Sequence, residues 1–171
     1  MIDFNTAFDR LIGHEGAFGN DSRDSGNWTG GAVGRGELVG TKYGVSAASY
    51  PTLDIKNLTL AQAKEIYFRD FWAIIGDAHP SIKFQLFDAA VNHGRGNAIR
   101  FLQRAVKVAD DGAWGKISQA ALDKMETNDV LLRFVAYRLK FWKSLSTFDI
   151  YGRGWTSRAA DNLLFAAADN D

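Results

Sequence analysis

The chain predicts a mainly helical α+β fold, in which a small β-hairpin region packs beside a helical body. Three observations predict it. Apolar residues recur at three- and four-residue spacing near the N-terminus and from Leu60 onward. Residues 16–46 instead carry Gly, Asn, Asp, Ser and Thr around short β-prone pieces. No repeat, low-complexity tract or Pro-rich linker divides the 171 residues, so one domain over 1–171 is expected.

The elements follow in order. Phe4, Ala7, Phe8, Leu11 and Ile12 form one apolar stripe, and continuing it by four places Glu15 on the same face. Gly16-Ala17-Phe18-Gly19-Asn20-Asp21 then reads as a turn that ends this helix. Gly26, Gly30, Gly31, Gly34, Gly36, Gly40 and Gly44 punctuate the next stretch. Between them Trp28-Thr29, Glu37-Leu38-Val39 and Lys42-Tyr43-Gly44-Val45 predict a twisted antiparallel hairpin region too polar to own a core.

Ser46 to Tyr50 reads as one short turn ended by Pro51. Thr59-Leu60-Ala61-Gln62 fits a capping box, followed by a stripe through Ile66, Tyr67 and Phe71. Pro80 suits the first turn of a helix with Ile82, Leu86, Phe87, Ala90 and Val91 inward, broken at Gly94 and Gly96. Ile99, Leu102, Ala105 and Val106 mark another helix, Asp110-Asp111-Gly112 a turn, and Ile117 to Met125 a short helix. Thr127 or Asn128 is expected to cap a long helix carrying Leu131, Phe134, Val135, Arg138, Phe141 and Trp142. Gly152 and Gly154 are expected to interrupt the chain before a last helix with Ala159, Leu163 and Phe165.

Composition bounds the function. Lys plus Arg and Asp plus Glu number 20 each, so the net charge is zero. Nucleic acid as main partner needs a basic surplus, and none exists. Without cysteine there is neither disulfide nor thiolate chemistry. His14, His79 and His93 lack the spacing of a zinc motif, and no metal or organic cofactor is expected. No run approaches the ~20 apolar residues of a membrane span, so no stable membrane insertion is expected. The N-terminal residues do not read as a signal peptide, so synthesis in the cytoplasm is expected. The chain is expected to act as a monomer.

Glu15 is the first chemical candidate. A carboxyl that shares a helix face with phenylalanines is partly desolvated, which favours its protonated form and suits a general acid. The plainer reading is a helix-end Glu paired with Arg10 or Arg23. A glycosidase also needs a group on the other face of the sugar. Asp24 and Thr41 lie in the polar segment and could supply it, although Asp24-Ser25-Gly26-Asn27 is equally good turn chemistry. His93 reads as a helix C-cap beside Gly94, with Asn92 a candidate sugar contact. Trp28, in the glycine-rich stretch, is the best candidate for stacking on sugar, while Trp72 and Trp142 fall on core stripes. Arg133, Arg138, Lys140 and Lys143 read as a solvated basic side over an apolar core.

Several motifs together resemble a known family. They are Phe8-Asp9-Arg10, His14-Glu15-Gly16-Ala17-Phe18, Asn20-Asp21, Asp24-Ser25-Gly26 and Thr41-Lys42-Tyr43-Gly44-Val45-Ser46, with Leu58 to Tyr67, Asp70-Phe71-Trp72 and Leu86 to Gly94 behind them. This order resembles the phage-type muramidases of glycoside hydrolase family 108. Phe101 to Ala105, Asp111 to Gly115 and Gly152-Arg153-Gly154-Trp155 resemble that family's companion peptidoglycan-binding segment.

The resemblance implies a lysozyme-like fold, with 1–93 the muramidase region and 94–171 a helical peptidoglycan-binding-like region of the same domain. It implies an endolysin that cleaves the β-1,4 bond between N-acetylmuramic acid and N-acetylglucosamine in peptidoglycan and lyses the host. Delivery to the periplasm would need another factor, such as a holin. Glu15 would be the general acid, and Asp24 with Thr41 would position the attacking water. Trp28, Tyr43, Asn92 and Glu37 would meet substrate. The chain departs from the family pattern in an insertion, Asn27 to Gly40, which makes Glu37 an alternative second carboxyl. That insertion is expected to be a mobile flap. The rivals are a lytic transglycosylase and a non-catalytic peptidoglycan-binding or structural protein.

Overall fold

A computed structural model describes residues 2–13 and 17–170. Their regular structure is mainly helical, with one small antiparallel ladder, as the periodicities predict. The helices are α1 (Phe4–Ile12), α2 (Leu60–Tyr67), α3 (Pro80–His93), α4 (Arg95–Ala105), α5 (Lys116–Leu122), α6 (Thr127–Lys143) and α7 (Phe148–Asn170), and the strands are β1 (Thr41–Lys42) and β2 (Val45–Ser46). The chain forms two compact units. One runs from Phe8 to Asp70, and the other joins the residues up to Ala7 with those from Phe71 onward.

α1 starts from Asp3, whose Oδ1 accepts from the Thr6 backbone N–H and from the Thr6 hydroxyl, each at 2.8 Å. α1 is described to Ile12, and Gly13 directly after it takes φ +57°. The expected continuation to Glu15 falls outside the described residues.

In the smaller unit, Thr41 pairs with Ser46 and Lys42 with Val45. The two residues between them, Tyr43 and Gly44, have φ +51° and +74°, as a type I′ hairpin turn requires. Single bridges join Gly19 to Thr41 and Trp28 to Leu38. The predicted strands at 28–29 and 37–39 are therefore one bridge rather than a ladder. Phe8, Val45, Ala47, Ile55, Leu58, Ala63, Ile66 and Tyr67 are buried. Phe8 and Tyr67 meet edge to face at 5.4 Å, and the Tyr67 hydroxyl donates to the Tyr43 carbonyl at 3.1 Å. α2 thus grips the hairpin turn. Its own start is the expected capping box, with Gln62 N–H donating to Thr59 Oγ1 at 3.2 Å and Thr59 N–H to Gln62 Oε1 at 2.9 Å.

The larger unit is a helical bundle in which α3 packs on α4, α6 and α7, and α6 on α4 and α7. Leu86, Phe101, Leu102, Val130 and Phe134 lie at its centre, with Leu122 of α5 and Ala166 of α7. Gly94, at φ +79°, separates α3 from α4, but Gly96 continues within α4. Two expectations need correction here. α6 begins after Glu126 with no side-chain cap, and Asn128 instead accepts from the Asn170 amide at 2.6 Å. Gly152 and Gly154 do not interrupt α7. A Cβ at Gly152 would stand 3.0–3.1 Å from the Phe148 ring, so the glycine admits that ring against the helix. Packing there outweighs the ~1 kcal/mol that a helical glycine concedes to alanine.

Candidate active site

The smaller unit holds the predicted polar candidates that the structure describes between Gly19 and Ser46. Its organising residue is Asn27, which is 3% exposed. The Asn27 amide nitrogen donates to the Asp21 carbonyl at 3.0 Å, and its Oδ1 accepts from the Thr41 hydroxyl at 2.7 Å. Its backbone N–H donates to the Asp24 carbonyl at 3.1 Å, and its own carbonyl accepts from Val39 and Gly40, each at 3.0 Å. One buried amide therefore fastens the Asp24 turn to Thr41.

Asp24 caps the short 3-10 turn Ser25–Asn27, its Oδ1 accepting from the Gly26 N–H at 2.8 Å. The turn reading of Asp24 is thus real, and it leaves Oδ2 without a hydrogen bond among the described residues. Thr41 is doubly fixed. Its backbone exchanges bonds with Gly19 at 2.8 and 2.9 Å, and its hydroxyl is held by Asn27. Asp24 and Thr41, separated in sequence by the glycine-rich insertion, are each bonded to Asn27, Asp24 through its carbonyl and Thr41 through its hydroxyl.

The insertion carries more bonds than its glycine count suggests. Thr29 N–H donates to the Glu37 carbonyl and Gly30 N–H to the Arg35 carbonyl, each at 3.0 Å. Glu37 N–H donates to Thr29 Oγ1 at 2.9 Å. Glu37 is exposed on this hairpin, outside the Asn27 network. The Trp28 indole N–H donates to the Ser22 carbonyl at 2.9 Å, which anchors one edge of a half-buried ring. Beside the turn, Asp21 pairs with Arg23 at 2.7 Å, and that hydrogen-bonded pairing pulls the Asp21 carboxyl down to about 2.

Tyr43 occupies a left-handed backbone position that a side chain other than glycine's rarely adopts. The Lys42 ammonium lies 5.4 Å from its ring centroid. Asn92 belongs to the other unit. It is exposed, and its amide donates back to the Asp88 carbonyl at 2.7 Å. It lines a cavity of about 300 Å³ with His93, Phe141, Trp142, Leu145 and Trp155. Glu15 lies outside the described residues. Among the described residues no three His, Cys, Asp or Glu side chains stand close enough to hold a metal ion.

The basic-face expectation fails for Arg138. It is 1% exposed and pairs with Asp88 at 2.7 Å. His93 is no simple helix cap either. Its ring packs against Phe101, Phe141 and Trp142, and its Nε2 lies 3.4 Å from an Arg138 amino nitrogen. Burial, with the Arg138 charge adding to it, pushes the ring down to about 4.

Sequence reasoning missed Asn27 as a hub. The available signal was its place three residues after Asp24, where a turn former's own side chain can fold inward. A carboxylate and a hydroxyl fixed on one polar loop are parts from which hydrolases build a water-binding site. The family model described as glycosyl hydrolase 108 matches residues 8–94, and the chain belongs to that family. It is therefore a glycoside hydrolase, and family membership implies peptidoglycan as its substrate. Among solved structures it is similar to SagA of Brucella abortus, at 26% identity over 96% of this chain and 94% of that one, with a TM-score of 0.80. No curated protein matches it.

Proposed function

We propose that this glycosidase is a muramidase of the endolysin type. It hydrolyses the β-1,4 bond between N-acetylmuramic acid and N-acetylglucosamine. Glu15 donates a proton to the glycosidic oxygen as that oxygen leaves with the bonding pair. Water held by Asp24 and Thr41 adds to the anomeric carbon from the opposite face and gives its proton to Asp24. Glu15 then regains a proton from solvent. The observation that carries this reading is the Asn27 network, which joins Asp24 and Thr41 inside the family-matched span and leaves Glu37 out of it.

Trp28 and Tyr43 serve the sugar chain, Trp28 through its ring and Tyr43 through the fixed turn. Asn92 contributes a further sugar contact, and residues 94–171 contribute to holding peptidoglycan. The protein acts as a monomer. It is made in the host cytoplasm of a phage and reaches the wall through a separate factor such as a holin. Among the described residues no helix is long and apolar enough to cross a membrane, which accords with delivery by another protein.

Digestion of purified peptidoglycan tests the reaction. Mass spectrometry is expected to find muropeptides with a reducing N-acetylmuramic acid end and one added water. Anhydro products would make the enzyme a lytic transglycosylase, and reducing N-acetylglucosamine ends would move the cleavage to the other bond. Glu15→Gln should fold and lose roughly a hundredfold or more of its turnover. A folded variant with normal turnover removes Glu15 from the chemistry.

A further inference from the structure

We infer that Asn27 is a positioning residue for the hydrolytic water, holding the Thr41 hydroxyl so that its oxygen faces that water with lone pairs only. The inference rests on the reading of Thr41 as a water-holding group.

The Asn27 side chain has one orientation that satisfies its surroundings. A carbonyl oxygen, that of Asp21, stands 3.0 Å from one end of the amide. That end must be the NH2, because two acceptors cannot bond. The other end is therefore the carbonyl, and it faces the Thr41 hydroxyl at 2.7 Å. Thr41 has a single hydroxyl proton. With that proton given to Asn27, its oxygen can only accept.

The direction of this bond decides how a water is held. A water that donates one hydrogen to Thr41 and the other to the Asp24 carboxylate keeps a lone pair for the anomeric carbon. A water that received a hydrogen from Thr41 would keep only one of its two lone pairs free and be the weaker nucleophile. The Asn27 carbonyl thus favours the arrangement that leaves both lone pairs of the water free before substrate arrives. The hold is rigid, since Asn27 is 3% exposed and its backbone is bonded to Asp24, Val39 and Gly40.

Turnover of purified peptidoglycan should be measured for Asn27→Ala, Asn27→Asp, Thr41→Val and the Asn27→Ala/Thr41→Val double variant, with folding followed by circular dichroism. Asn27→Ala is expected to lower kcat by about tenfold to a hundredfold with KM little changed. It should add no more than about a twofold loss in the Thr41→Val background, because the hydroxyl it orients is already gone. Asn27→Asp keeps an acceptor for Thr41 while it loses the bond to Asp21 and buries a carboxylate beside that carbonyl, so Tm should fall but kcat should stay within about threefold of wild type. Losses that multiply in the double variant, or normal turnover in Asn27→Ala, overturn the inference and leave Asn27 a structural clamp. Normal turnover in Thr41→Val instead removes Thr41 from the reaction, and the inference with it. If Asn27→Ala does not fold, Asn27→Asp decides alone: a loss larger than threefold overturns the inference.

Discussion

The Asp88 carboxylate on α3 and the Arg138 guanidinium on α6 meet at 2.7 Å with 2% and 1% of their side chains exposed. Arg158 and Asn162, both on α7, bind the same carboxylate, the latter at 2.8 Å. Burial alone would raise the Asp88 carboxyl, but the two arginine charges outweigh it and hold it below the ordinary range. Three helices of the larger unit are therefore fixed in register by one anion.

Removing that anion while keeping the shape should be severe. Asp88→Asn leaves Arg138 buried with its charge uncompensated, and about 3–5 kcal/mol of stability should be lost in chemical denaturation. Asp88→Leu combined with Arg138→Met should be less damaging than Asp88→Asn, since neither buried partner is then left charged. Equal damage in the two proteins would show that the ion pair itself is not what holds the helices.

His93 gives the larger unit a pH dependence. Its ring is held neutral in the fold, down to about 4, whereas an unfolded histidine titrates near ~6.5. Between those values the unfolded chain binds more protons, so stability rises with pH across that window and falls on acidification. Tm should drop from pH 7 toward pH 4, and His93→Gln should flatten the drop. The facing charges are Arg138, Asp88 and Arg158. Asp88 is held below the ordinary carboxylate range by Arg138 and Arg158.

Asp24→Asn and Glu37→Gln should separate the two candidates for the second carboxyl. Asp24→Asn keeps an oxygen for the Gly26 N–H, so the turn should survive while peptidoglycan turnover falls roughly a hundredfold. Glu37→Gln should retain most activity. The reverse pattern would transfer the role to Glu37 and its hairpin.

The hairpin over 27–40 should exchange its amides unevenly. Val39 and Gly40 N–H are bonded to the Asn27 carbonyl and should exchange slowly even without substrate, while amides near the exposed Val33 exchange fast. Uniformly fast exchange would instead support the mobile flap that the glycine content predicts. Added oligosaccharide should slow exchange around Trp28 if its ring meets sugar.

The helices were legible because their signals are local. The Thr59 and Gln62 pair, Pro80 and the three-four stripes each act within two turns of chain. The misreadings came from packing that residue type does not announce. At Gly152 the neighbour is local, since the Phe148 ring one helical turn earlier occupies the space a side chain would take, but a glycine by itself reads as a break. Arg138 fell on an apolar stripe, yet its burial depends on Asp88, fifty residues away by sequence. At the candidate site, Asp24 and Thr41 were found as residue types in a polar segment. The residue that joins them was not, because an asparagine in a glycine-rich turn looks like any loop residue until its amide is seen facing inward. Glu37 was kept as an alternative because a one-dimensional reading cannot show which side of a hairpin base a carboxyl occupies.

The collar that Asn27 forms with Val39 and Gly40 makes the segment from Trp28 to Leu38 a detachable module. Both ends of that segment are pinned below it, so changing its length asks only for a new loop closure, and doubling such a loop adds only about 0.6 kcal/mol. Residues here can be trimmed, lengthened or exchanged for a foreign peptide while Asp24 and Thr41 stay at their stations. The same economy lets a lineage rewrite what the enzyme touches around its substrate without rebuilding how it cuts.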